Sequence, residues 1–352
     1  MILVVAPSRQ TRGGITSVVR AYSSTAFWDQ FNCIWIETYI DKNSFYKIFF
    51  FLKGFIHYLV LLPFATMVHI HLSEQISALR KTFFFVPALI LKKKIIIHSH
   101  SFSPKALYLG KYKRIYKFLF SKCDAIIVLS SSCEKNIIEL LQIDKSKINI
   151  LYNPCPEISP GTNALISSKY ILFIGTLTKR KGYHDLINAF QKVSINYPEW
   201  KLILAGNGEI EEANILADKL NISDKVICLD WITESEKDKV FRNAGIFCLP
   251  SYAEGFPMAL MDALAYGLPV VTTPVGGIPD VFSHMKNAIF IEPGNIEEIS
   301  DALLNLIKSE KLAEQLKAES LFLKENLFDL NKITQKLNLI YSQIINSNRH
   351  AA

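Results

Sequence analysis

Short apolar runs of strand length alternate with stretches in which apolar positions recur every three or four residues, and the alternation continues along almost the whole chain. In the first half the short runs fall at Ile2–Ala6, Cys33–Glu37, 67–70, 94–98, 125–129 and 148–151. Such runs predict strands buried on both faces of a sheet, and the stretches between them, such as 103–121 and Ser131–Leu141, predict helices. A βαβ rhythm of this kind gives a parallel sheet covered on both sides. Residues 153–168 break the rhythm: they are rich in Pro, Ser and Gly, lack periodicity, and read as a linker. A second series follows, at Tyr170–Ile174, Lys201–Ala205, Val226–Leu229, Ile246–Leu249, Val270–Thr272 and 288–291. Helices end the chain, and 330–345 keeps an apolar stripe at Ile333, Leu337, Ile340 and Ile344. The expected fold class is therefore α/β: two Rossmann-like, doubly wound parallel-sheet domains at 1–160 and 165–330. The C-terminal helix, within 331–352, is expected to pack back toward the first domain.

A chain of 352 residues, half of them hydrophobic, suits two such domains, each with its own core. The opening MILVVAPSRQ has no basic segment before its apolar run and reads as a first strand, not a signal peptide. The longest apolar window, 48–64, is interrupted by Lys53, Gly54, His57 and Pro63, so no transmembrane segment is predicted. Six scattered cysteines form no CxxC pair and read as reduced structural thiols of a cytosolic protein. The net charge of +7 hides an asymmetry, because residues 1–160 carry 20 Lys and Arg against 9 Asp and Glu. A basic half suggests a polyanionic partner, either nucleic acid or an anionic membrane surface. No nucleic-acid-binding motif supports the first. For the second, Lys113, Arg114 and Lys117 fall on one side of 105–122 beside Tyr108, Tyr112, Ile115 and Leu119, a basic amphipathic pattern.

The densest chemistry lies in 249–277, LPSYAEGFPMALMDALAYGLPVVTTPVGG. A buried strand ends at Leu249, and the loop 250–255 carries one acid, Glu254. Pro257 stands where a helix starts, since its missing N–H costs nothing there. The free amides of that first turn and the helix dipole make an anion site. In an open α/β sheet the ligand lies beyond the carboxyl ends of the strands, where this loop is. Glu254 in the loop, an anion-binding turn, and Asp262 inside the helix suit a diphosphate flanked by hydroxylated rings, because a carboxylate accepts from vicinal hydroxyls.

This segment resembles the donor-site signature of glycosyltransferase family 4, retaining enzymes of the GT-B fold that include bacterial surface-polysaccharide transferases. The likeness runs through Val275-Gly276-Gly277-Ile278-Pro279-Asp280 and is strongest over 170–292. It implies two Rossmann-like domains facing a cleft, the first on the acceptor side and the second binding a nucleotide-sugar, most often a UDP-sugar. Glu254 would position the donor sugar hydroxyls and Asp262 the ribose hydroxyls, although the family usually has Glu at the latter place. The amides after Phe256, with Gly255, Pro257 and Met258, would hold the diphosphate. Gly175-Thr176-Leu177-Thr178-Lys179-Arg180-Lys181-Gly182 resembles the family's cationic loop: Lys181 matches, Thr176 stands where Arg is usual, and Arg180 is placed to compensate. Gly206-Asn207-Gly208 would shape the pocket floor. Trp231 either lines the nucleotide base or packs. Gly13 and Gly14 follow the first strand, as in the family's loop opposite the donor.

Four histidines form two HxH pairs, His69 with His71 and His98 with His100. Neither pair has a further Cys or acid at ligand spacing, so no metal is predicted. By resemblance His100 lines the cleft near the transferred sugar. The chain lacks Asp-x-Asp, so a metal-independent reaction without cofactor is expected. The resemblance implies transfer to a glycan or lipid-linked glycan acceptor on the inner face of the cell membrane, with the protein cytoplasmic and peripheral. Two rival readings are a catalytically silent nucleotide-sugar-binding subunit and a sugar-nucleotide epimerase on the same scaffold.

Overall fold

The computed structural model describes residues 1–101, 108–158 and 169–346. The chain divides into two compact units: Met1–Pro154 with Asp329–Ala352, and Cys155–Phe328.

The first unit is built on a six-stranded sheet of β1 (Ile2–Ala6), β2 (Cys33–Glu37), β3 (Met67–Leu72), β4 (Lys94–Ser99), β5 (Ala125–Val128) and β6 (Ile148–Ile150). All pairings are parallel, in the order β2-β1-β3-β4-β5-β6. The order reverses between β1 and β3, and the chain leaves β1 into the turn at Gly13. Gly13 has φ 143°, a conformation costly for any residue with a Cβ, and the helix starts directly after it at Gly14.

Two helices of this unit differ from expectation. Ser44–Leu61 is one continuous helix that runs into a 3₁₀ turn, Leu62–Phe64, so the apolar window is not interrupted: the 21 residues have the length to cross a membrane, and their most apolar 18-residue window has a mean hydropathy of 1.6. Gly54 does not break the helix because it is where the helix touches the sheet. A Cβ there would collide with the Glu37 carbonyl. Pro63 sits harmlessly in the exit turn. The basic helix is Lys113–Lys122, and residues 105–107 of the expected stretch lie outside the described residues. Lys113, Arg114 and Lys117 are exposed, but Tyr108 and Leu119 are buried and Tyr112 and Ile115 pack on the same core. Its apolar side therefore faces the protein, not solvent.

The C-terminal helix Leu330–Asn346 packs within this first unit, burying Ile333, Leu337 and Tyr341. Tyr341 packs against Phe27 and edge-on against Phe31, and its hydroxyl lies 2.6 Å from His69 Nδ1.

The second unit has its own parallel sheet of β7 (Tyr170–Ile174), β8 (Lys201–Ala205), β9 (Val226–Leu229), β10 (Ile246–Leu249), β11 (Val270–Thr272) and β12 (Ile289–Phe290). The order is β12-β11-β10-β7-β8-β9, so the reversal falls between β7 and β10. Its two ends are tied, Cys155 N donating to the Phe328 carbonyl over 2.8 Å. Residues 159–168 of the expected linker lie outside the described residues.

Candidate active site

In the second unit the loops that leave β7 and β10 lie side by side at the strand-order reversal, the crevice where open α/β sheets take their ligands. Two features hold them together. Tyr252 N donates to the Arg180 carbonyl over 2.8 Å. Gly182, at φ 73°, packs so closely on Pro250 that any Cβ would strike its carbonyl.

This zipping brings Lys181 to Glu254. Lys181 ends a short 3₁₀ turn, Lys179–Lys181, and its Nζ lies 2.5 Å from Glu254 Oε1. Glu254 is buried, and Ser251 Oγ donates to the same oxygen over 2.7 Å. Arg180 Nη1 is 3.6 Å from Glu254 Oε2 and donates to the Ala253 carbonyl over 2.6 Å. One buried carboxylate thus gathers two cations and a hydroxyl. Burying a charge is costly without such partners, so each member depends on the others.

The helix after the loop begins at Met258, with Pro257 as its extended cap and not its first residue. Leu260 N donates to the Pro257 carbonyl over 3.1 Å. Pro257 carries no side-chain cap for the first-turn amides, which suits an anion there. Phe256 is buried against Phe328, with ring centroids 5.5 Å apart. Gly255 accepts from Gly277 N over 2.8 Å, and Gly276 at φ 61° lies where a Cβ would meet the Glu254 carbonyl, which fixes the loop from behind.

The glycines of the floor touch one another. A Cβ on Gly206 would hit the Gly175 carbonyl, and one on Gly208 would hit that of Leu177. Leu177 N donates to the Asn207 carbonyl over 2.7 Å, which stitches the β7 and β8 loops together. Trp231 is 40% exposed, so it does not serve as a core residue.

Asp262 is buried in its helix and already has a partner: Lys237 Nζ lies 2.9 Å from Oδ1. Desolvation pushes this carboxyl up, opposed by the Lys237 charge, while Glu234 adds to the rise. Lys237 was not singled out from sequence. It sits on the helix Glu234–Arg242, 25 residues away in an ordinary charged stretch, and only the fold brings it under Asp262. Tyr252 and Asp185, joined by a 2.9 Å hydrogen bond, were likewise missed; with Lys179, Arg180 and His184 they line a shallow pocket beside the cationic loop.

Gly13, Gly14 and His100 belong to the first unit. There β3 and β4 pair with His71 opposite His98, which gathers four histidines into one stack. His71 Nδ1 and His100 Nε2 are 2.9 Å apart. Burial lowers all four, His69 and His100 to about 3, so the rings are neutral. Ligand atoms of His69, His71 and His98 lie within 4.8 Å of one another, and neutral imidazoles are competent donors. The rings of these three lie 5°, 26° and 31° from parallel, whereas ligands around one tetrahedral ion splay apart.

Residues 45–156 match the family described as Glycosyltransferase Family 4, and residues 157–320 match glycosyl transferases group 1. An uncharacterized glycosyltransferase of Haemophilus influenzae is 31% identical over 234 residues, covering 65% of this chain and 62% of the relative. A capsular polysaccharide biosynthesis glycosyltransferase, CapM, of Staphylococcus aureus is 25% identical over 64% of this chain and 57% of its own. The matches thus span less than two thirds of these relatives' length. A structure of Anabaena HepE in complex with UDP and glucose superposes with a TM-score of 0.79 at 15% identity, covering 97% of this chain and 99% of that one.

Proposed function

The chain belongs to glycosyltransferase family 4 and has the GT-B fold, and from that premise we propose that it moves a sugar from a nucleotide-sugar, of UDP type, to a glycan or lipid-linked glycan. The observation that carries the reading is the Lys181–Glu254–Ser251 cluster at the strand-order reversal of the second unit. An ammonium has three donors, and Glu254 occupies one of them. The others and the amides of the turn at Met258 are the groups that would neutralise a departing diphosphate, stabilising charge as it develops. Glu254, held rigidly by its partners, would orient the hydroxyls of the donor sugar. Retention at the anomeric carbon follows in this reading from a same-face path in which the leaving phosphate helps deprotonate the acceptor. UDP in the similar HepE structure supports the choice of nucleotide, and the basic first unit supports work at the inner face of a membrane, in surface-polysaccharide assembly. No metal or cofactor is required by this scheme, because Lys181 and the helix start supply the positive charge.

The experiment is a thermal-shift screen of UDP and UDP-sugars followed by an assay of UDP release. A rise in melting temperature with UDP and turnover of one UDP-sugar is the expected result. Absence of any shift with every nucleotide-sugar would reject the reading. Binding without turnover, for any acceptor or water, would favour the silent subunit, which the Asp262–Lys237 pair and Thr176 also favour.

A further inference from the structure

A helix lying on a globular unit normally turns one apolar stripe inward and polar residues outward. Ser44–Leu61 does not. Its inward stripe runs through Phe51, Gly54 and Tyr58 to Leu62, which meet the core. Its outward stripe is apolar too: Phe45, Ile48, Leu52, Ile56 and Val60 recur at helical spacing and each is more than half exposed. The next helix, Gln75–Ile90, repeats this with Ile76, Phe83 and Ile90. The two helices adjoin. The Phe51 and Phe83 rings meet edge-on at 5.6 Å, and Lys93 Nζ donates to the Pro63 carbonyl over 2.7 Å at their far ends. Together they make one contiguous exposed apolar face, the kind of surface that marks an interaction site.

The stretch of chain that carries these helices is strongly basic. Residues 42–123 contain fourteen Lys and Arg and a single acid, Glu74. Lys42, Lys53 and Lys92 are exposed on or beside the two helices, where long stems can lie along apolar surface and carry the ammonium to a lipid headgroup. An apolar stripe rimmed mainly by cations complements an anionic bilayer, which offers acyl chains beneath a negative surface.

We propose that the outward faces of Ser44–Leu61 and Gln75–Ile90 dock the first unit onto an anionic lipid bilayer, lying in the interface and not crossing it. The inward stripe argues against crossing. Gly54 touches the Glu37 backbone and the buried Tyr58 hydroxyl donates to the Phe84 carbonyl, so the middle of the helix is held by its own unit. The inference rests on the membrane part of the proposed function and not on the transfer chemistry. It also moves the contact from the basic helix Lys113–Lys122 to a face that has apolar side chains to insert.

The test is sedimentation of the full chain with neutral and with anionic phospholipid vesicles, at low and high salt. The wild type should bind anionic vesicles at least about tenfold better than neutral ones at low salt. The variant Ile48→Ser, Leu52→Ser, Ile56→Ser should lose about tenfold or more on the anionic vesicles, since each large apolar side chain contributes roughly that factor when it leaves water. A second variant, Lys53→Gln with Lys92→Gln, should lose mainly the preference for anionic lipid. Folding of each variant is checked by its melting curve and by its thermal shift with UDP. Wild type that ignores vesicles, or an apolar variant that binds as wild type does, overturns the proposal. So does a wild-type dimer that the apolar variant dissolves, which would assign the face to a second copy. Vesicle binding without any response to nucleotide-sugars would reject the transfer reading and leave the docking surface standing.

Discussion

Lys181 and Glu254 lie 73 residues apart in the chain and 2.5 Å apart in the fold, both with side chains almost wholly withdrawn from water. Two parallel strands that leave the sheet centre side by side, β7 and β10, deliver them to one place.

Lys181→Ala should lower kcat/KM for the donor by about tenfold or more, since a charge-assisted hydrogen bond contributes about 1.5–3 kcal/mol. It should also lower the melting temperature without ligand, because Glu254 loses its closest cation in a buried site. Glu254→Gln should depress kcat more than KM if the carboxylate orients the reacting sugar. Steady-state kinetics beside melting curves separate these effects. Unchanged kinetics in both variants would remove the pair from the site.

Asp262 pairs with Lys237 and is also the residue expected to hold the donor ribose. Lys237→Ala strands a buried carboxylate and should reduce stability, whereas the double variant Lys237→Ala, Asp262→Ala should recover part of the loss. Asp262→Ala should raise the donor KM more than it lowers kcat. If the donor KM does not move, the ribose role fails and the ion pair alone accounts for the residue.

The four stacked histidines make the first unit acid-sensitive. Their folded values lie well below the ordinary 6.5, chiefly through desolvation, with His69 and His100 at about 3. The unfolded chain therefore takes up protons below about pH 6.5 that the folded unit refuses until far lower. Stability is greatest above pH 6.5 and falls as pH drops toward 3, by at most about 1.4 kcal/mol per pH unit for each histidine. Melting curves from neutral pH to pH 5 should show the fall, and His69→Gln should make it shallower. A melting temperature indifferent to pH over that range would contradict the neutral stack.

If, as proposed, the cationic loop takes the place of a divalent ion at the diphosphate, donor turnover should survive EDTA largely unchanged. A tenfold or greater loss, restored by magnesium or manganese, would overturn this.

Much of the fold was legible in the chain. Strands such as Tyr170–Ile174 and Lys201–Ala205 match the expected limits, because apolar runs buried on both faces end abruptly at polar loops. Others shift slightly: β3 continues to Leu72, and β12 shrinks to Ile289–Phe290. The loops bearing Lys181 and Glu254 were legible as well, each following a strand. What periodicity does not carry is which side of an apolar helix finds a partner. Ser44–Leu61 is apolar nearly all round, so the sequence alone does not say that Ile48, Leu52 and Ile56 stay uncovered. Cross-strand register was also hidden, and with it the meeting of His71 and His98. The Lys237–Asp262 pair was hidden because neither residue carries a local sign of the other.

The tie between Cys155 and Phe328 closes the second unit as a single uninterrupted segment, while the first needs Tyr341 beside Phe27 and His69 to complete its core. During synthesis, then, the unit whose translation begins first is the last that can finish folding. Its sheet waits, without its closing helix, while the whole of the other unit is made and settles. Domains made first usually fold first. A chain released at residue 329 would hold a complete second unit and a first unit without its closing helix. Such a stop should destabilise the first unit and leave the second unit, with the nucleotide binding proposed for it, intact.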